Sequence, residues 1–541
     1  MHIFYNSPHN NGMRNFNFIK NIFTYTPENT DTAFQLNEAT DTLPALNSDR
    51  TVSESLTENL DFIERIYSLP QNSDIKIRKF TIGNQISAFL LFVEGLVRDD
   101  SIGNHILAPL MLLPQETVTV QKVMNKLLLN NQVTTVKTFT EVIDEVNMGN
   151  CVLFADGFCE VFSIDVKGWE RRGIDSPITE HVIYGPHEGF NENFKVNTAL
   201  IRKNLRNQNL VCETLSLGKQ SKTPCALLYI KNVTNRALVR EMRRRLQNIE
   251  ADFVYQAGEV EQFIEEKSFS LSPQLLTTER PDKTAAALVE GKVAIIVHGS
   301  PFALIAPVSF TEFLTSPEDQ NVRFPFANLM RGIRLIGILS SFLLSGLYIA
   351  IVNYHREMIP ADLLFAIEAA REAVPFSALF ELLLMEIAFD IIREASLRVP
   401  SPIGSTVGII GGLIVGQAAV SAALVSPLAI IIVSLTGVGS FSTPNYALNF
   451  TFRFARYIYI FLGAAYGFLG IAAGLFIHAT LLCAVNSFGV SLFSTLSSKN
   501  NTGILSFLFQ VPAWKREQRH AYVQAQQTEL QQEISRKWEE S

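Results

Sequence analysis

Residues Phe376 to Arg398 read FSALFELLLMEIAFDIIREASLR, and this stretch decides the fold. It has the length and apolar content of a helix within a membrane, yet it carries Glu381, Glu386, Asp390 and Glu394. A charged side chain at the bilayer centre costs roughly 2.5–3.5 kcal/mol on the insertion scale, so four facing lipid would cost about 10 kcal/mol. Such a helix has to line an aqueous path or lie among partner helices. Positions 386, 390 and 394 advance four at a time and share a helical face, with Glu381 pointing elsewhere. These four carboxylates are the candidate lining of a pore or vestibule. One chain supplies one such helix, so a ring of carboxylates predicts a closed homo-oligomer. The competing reading is structural, with the acidic groups meeting Arg393, Arg398 or basic residues of neighbouring helices.

Immediately upstream lies Val374-Pro375. Proline interrupts the helical pattern, so the stretch from Asp362 to Arg398 reads as helix, break, helix. Val374 lies seven residues before Glu381, on the same face if the turn continues, and a ring of valines there would make a dewetting gate. Packing of Val374 beside a proline kink is the alternative.

The surrounding sequence is that of a membrane domain over residues 331–490. Leu335 to Val352 is uncharged for 18 residues, about 27 Å of helix, which just crosses the hydrocarbon. Arg331 and Arg334 precede it, and by the positive-inside rule they hold the preceding domain in the cytoplasm. Gly404 to Leu424 is rich in glycine (Gly404, Gly408, Gly411, Gly412, Gly416), which predicts close helix packing. Pro427 to Phe441 is a short span or a re-entrant hairpin. Tyr457 to Val485 exceeds one upright span and predicts a tilt, or a bend at Gly463, Gly467, Gly470 or Gly474. The count is four or five spans. His478, in the last of them, is either part of a proton relay or a hydrogen-bonded packing residue.

The chain has 541 residues and a net charge of −7. Its mean hydropathy of +0.17 is high for a soluble protein and low for a fully embedded one. Residues 1–50 read as a flexible arm, 51–165 and 166–325 as two soluble α/β subdomains, and 491–541 as a polar tail. Apolar runs such as Cys151-Val152-Leu153-Phe154-Ala155 and Val293-Ala294-Ile295-Ile296-Val297 are strand candidates. Arg240, Arg243, Arg244 and Arg245 either recognise phosphate or anionic lipid or form a solvated helix face. The acidic balance argues against a nucleic-acid partner. Five scattered cysteines indicate neither zinc nor a disulfide framework. No basic stretch with an apolar core opens the chain, so no cleaved signal is expected. No zinc-protease, nucleophile-elbow or phosphate-loop motif occurs, which predicts neither an enzyme nor a cofactor.

Several motifs resemble the A-subunit family of the GerA-type spore germinant receptors, over roughly residues 60–490. They include Gly168-Trp169-Glu170, Gly185-Pro186, Thr278-Glu279-Arg280-Pro281-Asp282, Arg371-Glu372-Ala373-Val374-Pro375-Phe376, Met385-Glu386-Ile387, Arg393-Glu394-Ala395, Gly416-Gln417-Ala418 and Asn486-Ser487-Phe488-Gly489-Val490. The resemblance implies a receptor subunit in the spore inner membrane with its amino-terminal domain facing the core. Its implied partners are a transporter-like B subunit holding the nutrient pocket, a lipoprotein C subunit, membrane lipid and further copies of itself. The implied activity is a nutrient-gated channel for monovalent cations; the alternative is a non-conducting scaffold that couples a transporter-like partner to downstream germination proteins. Ser491-Leu492 departs from the Pro-Tyr usual at that point in the family.

Overall fold

The computed structural model describes residues 34–39, 49–83, 85–112, 132–168, 176–398, 411–412, 414–495 and 509–531. Most of the amino-terminal arm, together with Trp169, Glu170, Gly404, Gly408 and much of the tail, lies outside them. Met1–Gln35 and Leu36–Ser541 are separate compact units, and the fold below is that of the second.

Two antiparallel sheets occupy the amino-terminal half. In the first, helix α1 (Leu56–Tyr67) precedes the hairpin β1 (Ile75–Ile82) and β2 (Ile86–Val93), then β3 (Val133–Val136), α2 (Phe139–Asn147), β4 (Cys151–Ala155) and β5 (Val161–Ile164). The second repeats the scheme. Helix α3 (Phe194–Asn204) precedes β6 (Leu210–Leu217) and β7 (Thr223–Ile230); α4 (Arg236–Gln247) and α5 (Ala257–Ile264) lead to β8 (Leu276–Thr278), α6 (Pro281–Val289), β9 (Val293–Val297) and β10 (Ala303–Ala306). The spatial orders are β1-β2-β4-β5-β3 and β6-β7-β9-β10-β8, the same order displaced by five strands. The apolar runs at β4 and β9 are buried at every position because each lies inside its sheet, covered on both faces.

Helix α2 starts on a capping box: Thr138 accepts from the Glu141 amide while Glu141 reaches back to the Thr138 amide. The halves meet at a buried pair. Arg202 of α3 donates to Asp74 at 2.6 and 2.8 Å and to Asn72 at 3.0 Å.

A short helix α7 (Phe310–Leu314) leads into the helical carboxyl-terminal half, which contains α8 (Phe324–Tyr354), α9 (Ala361–Glu372), α10 (Ala378–Arg398), α11 (Pro427–Ser440) and α12 (Tyr446–Cys483). Among the described residues α8 and, taken over its whole length across a bend at Gly467, α12 are long and apolar enough to cross a membrane, against the four or five spans expected. α11 has only 14 residues, about 21 Å of rise, and α10 is interrupted by charge. Part of the glycine-rich segment lies outside the described residues.

α12 is two helices joined at Gly467, where φ is 59° and ψ −140°. Its halves fold back on each other: Tyr459 Oη lies 3.2 Å from His478 Nδ1, and a Cβ built at Gly474 would meet Leu462 Cδ1 at 2.6 Å. Residues 446–466 and 468–483 thus form an antiparallel hairpin.

Direction follows from contacts. α8 leaves the sheets and ends beside the Gly467 turn, where Tyr354 Oη donates to the Ala464 and Ala465 carbonyls at 2.9 Å. α10 returns: Glu381 meets the start of α11, Glu386 meets Ser345, and Arg393 meets Ser440 at the end of α11. The hairpin's second half ends at the sheets, with Lys267 donating to the Ala484 carbonyl at 2.5 Å.

Among the described glycines of the 404–416 segment, Gly411, Gly412 and Gly416 make no tight contact, and Gly404 and Gly408 lie outside the described residues. A Cβ at Gly412 would meet nothing, whereas one at Gly346 would lie 2.6 Å from the Tyr459 carbonyl and one at Gly463 2.5 Å from that of Gly346. Backbones therefore approach closely between α8 and α12, and again between α8 and α11, where a Cβ at Gly439 would lie 2.5 Å from the Gly337 carbonyl.

The motif at 486–490 is a hairpin turn. Ser487 pairs with Val490 across Phe488 and Gly489, whose φ values are 48° and 76°, the two positive angles that a type I′ turn requires. Phe488 is buried beneath Arg245, whose guanidinium lies 4.3 Å from the ring centre, and Gly489 donates to Glu266 at 2.9 Å. Of the basic run on α4, Arg243 is held by Glu213, and Arg244 and Arg245 by Glu241.

Candidate functional site

The break and α10 contain all six candidate residues. α9 ends at Glu372, and residues 373–377 are non-helical up to α10. Pro375 has no amide to donate and excludes its predecessor from helical geometry. Val374 and Glu381 therefore belong to different segments, which corrects the expectation of a continuous helical face. Val374 is half-buried and Pro375 exposed. α9 buries only Ile367 and half-buries Leu364 and Arg371, leaving Leu363, Phe365, Glu368 and Glu372 open.

The four carboxylates have four different surroundings. Glu381 is buried; its Oε2 accepts from the Ser426 amide at 3.0 Å and its Oε1 from Arg371 Nε at 3.4 Å. Glu386 is fully buried, accepts from Ser345 at 2.7 Å and Thr436 at 3.1 Å, and lies 2.8 Å from Arg456 Nη1. That last contact is close but not aligned as a hydrogen bond, since Glu386 Oε2 and Arg456 Nη1 both lack a hydrogen-bond partner. Asp390 binds Arg453 at 2.7 Å and Tyr457 Oη at 2.7 Å, with Arg456 at 3.4 Å. Glu394 is exposed and pairs with Arg398 at 2.9 Å, a contact worth little in water.

This divergence is geometric. At 100° per residue, each step of four turns the side chain by about 40°. Between 386 and 394 the face rotates from the helical interior to an outward groove of about 500 Å³ lined by Ile387, Asp390, Ile391, Glu394 and Tyr457.

Charge inside the bundle is balanced by arginine. Glu381, Glu386 and Asp390 face Arg371, Arg453 and Arg456, and Arg393 lies nearby on Ser440 Oγ at 3.2 Å and the Phe441 ring at 4.8 Å. Within one chain, Glu381 and Glu386 are enclosed by protein groups rather than turned to water, with Glu386 Oε2 beside Arg456 but not hydrogen-bonded. Sequence reasoning named Arg393 and Arg398 as possible partners but not Arg453 and Arg456. The available signal was a pair of carboxylates about one helical turn apart, at 386 and 390, and a pair of arginines likewise about one turn apart, at 453 and 456, in two apolar segments that each need a counter-charge. His478 has Tyr459 as its hydrogen-bond partner. No group of three or more potential metal ligands occurs among the described residues.

Comparison with known proteins adds the family. The model described as Bacillus/Clostridium GerA spore germination protein matches residues 62–522. The chain belongs to this GerA family. Spore germination protein KA of Bacillus subtilis (strain 168) is 38% identical over 472 residues, covering 86% of each chain. Spore germination protein GerLA of Bacillus cereus is 37% identical over 419 residues, covering 76% of this chain and 85% of the relative. The crystal structure of the N-terminal domain of the A subunit of the Bacillus megaterium spore germinant receptor GerK3 aligns at 28% identity, covering 48% of this chain and 98% of that one with a TM-score of 0.36. This GerA-family chain is a germinant-receptor subunit rather than an enzyme, and its apolar helices associate it with a membrane.

Proposed function

We propose that this GerA-family chain is a multi-pass subunit that oligomerises around a nutrient-gated path for monovalent cations, with the constriction at Val374-Pro375. The observation that carries the reading is α9 and its break. Within one chain Ile367 is buried and Leu364 half-buried, but Leu363 and Phe365 stay exposed beside Glu368 and Glu372, and further copies around an axis would cover them. On this reading Asp390 and Glu394 lie nearer solvent than Glu381 and Glu386. The buried acid–arginine pairs brace α10 against α11 and α12, so that motion at the break reaches α10 as a rigid unit. The assembly sits in the spore inner membrane, soluble domain toward the core, with a transporter-like B subunit and a lipoprotein C subunit as partners.

The second reading, a non-conducting scaffold, draws on the same pairs: Glu381, Glu386 and Asp390 each have an arginine and no need of water. Ion flux in vesicles containing the chain with its partners separates the two. Val374→Ala is expected to raise cation leak without nutrient. Flux unchanged by both Val374→Ala and Glu386→Gln would leave the scaffold standing.

A further inference from the structure

Where α8 leaves the sheets, a cavity of about 130 Å³ opens between Thr311, Thr315, Asn328, Arg331, Leu335 and Phe509, well above the roughly 10–15 Å³ that a single water needs. Its charge is unbalanced. Arg331 and Arg334 share one carboxylate, Asp319, which is almost fully buried. Arg334 uses both terminal nitrogens, on Asp319 at 2.8 and 2.9 Å and on the Leu314 carbonyl at 3.0 Å. Arg331 gives only its Nε to Asp319, at 3.3 Å. Its two terminal nitrogens have no hydrogen-bond partner among the described residues, although the side chain is only 16% exposed. A half-buried guanidinium fork with free donors fits a phosphate bidentately.

The opposite wall is apolar. Leu335 and Ile338 begin the uncharged run of α8, and Met330, Ile333 and Ile336 are exposed on the same turns. Phe509 closes the side nearest the tail, which is tied down by the paired bonds between Asn328 and Gln510.

We propose that this cavity binds a phosphate group, carried by an anionic phospholipid whose net-negative headgroup meets Arg331 and whose chains lie along Leu335 and Ile338. The inference rests on the reading of α8 as a membrane span. A free phosphate anion has the same charged group but no use for the apolar wall.

The test uses the full chain, extracted in mild detergent and examined by native mass spectrometry with added phosphatidylglycerol, phosphatidylcholine or inorganic phosphate. The wild-type chain is expected to retain phosphatidylglycerol about fivefold better than phosphatidylcholine, the factor one basic contact gives. Arg331→Gln should abolish the preference and Arg331→Lys should keep part of it. Thr315→Asp, which leaves the Arg331–Asp319 pair in place, should also abolish it by putting a carboxylate where the phosphate sits. Equal retention of phosphatidylglycerol by wild type, Arg331→Gln and Thr315→Asp would overturn the proposal. So would binding of inorganic phosphate without any lipid preference, which would assign the cavity to a free anion. A chain that washes off vesicles at alkaline pH would remove the membrane reading itself, whereas one that stays on them without lipid preference removes only the cavity's role.

Discussion

Arg456 and Glu386 together link four helices. Arg456 lies on α12, is 1% exposed, and faces both Glu386 and Asp390 of α10, while Glu386 also holds Ser345 of α8 and Thr436 of α11. Removing one member of a buried pair leaves an uncompensated charge, at a typical cost of 3–5 kcal/mol, whereas replacing both with apolar groups of similar size is often neutral. Glu386→Gln should therefore lower thermal stability in detergent markedly, and Glu386→Gln with Arg456→Met should recover most of the loss. A single variant melting with the wild type would mean that the pair is not what secures α10. Acidic residues in an apolar helix were visible from sequence, but their partners were not, because Glu386 and Arg456 are 70 positions apart and nothing local joins them.

At the scale of an element, the hairpin of α12 depends on Gly467. Its φ of 59° with ψ of −140° lies in a region essentially reserved for glycine. Gly467→Val should keep both halves helical yet prevent their antiparallel return. The check is a cysteine pair at Leu462 and Gly474, which should oxidise to a disulfide in the wild-type background and fail to do so beside Gly467→Val. Efficient cross-linking in both backgrounds would show that packing alone makes the turn. Sequence reading marked Gly467 as one of four possible bends, since four glycines three or four apart look alike in one dimension; only the neighbours of each decide which one leaves helical geometry. Likewise the glycines at 411–416 looked like packing sites, but Gly346 and Gly463 make the close contact because their helices cross there.

Across the whole molecule, two sheets of identical strand order are joined by hydrogen bonds between residues 71–73 and the start of β6, with the Arg202 pair to Asp74 and Asn72 buried among them. The second sheet is tied to the helical half by Asp319 with Arg334, by the Val308 amide donating to Ser487 Oγ at 3.1 Å, and by the Phe310 amide donating to the Leu492 carbonyl at 2.8 Å. Asp74→Asn leaves the Arg202 charge without a counter-charge, so the first sheet should melt ahead of the rest, giving two calorimetric transitions where the wild type gives one. A single transition at an unchanged temperature would mean that the halves are coupled through other contacts.

By itself the sequence determined the order of parts: apolar runs with strand-like residues ahead, long apolar helices behind, a proline break before an acidic helix, and motifs specific enough to identify the family. Each of these is written in contiguous residues through local periodicity and backbone restriction. Tertiary structure alone decided which carboxylates are buried and by which arginine, that one long apolar segment is a hairpin, that the two sheets repeat one topology, and that Arg331 keeps unused donors. Those features arise from groups brought together from distant positions, where burial and counter-charge depend on how the helices and sheets cross.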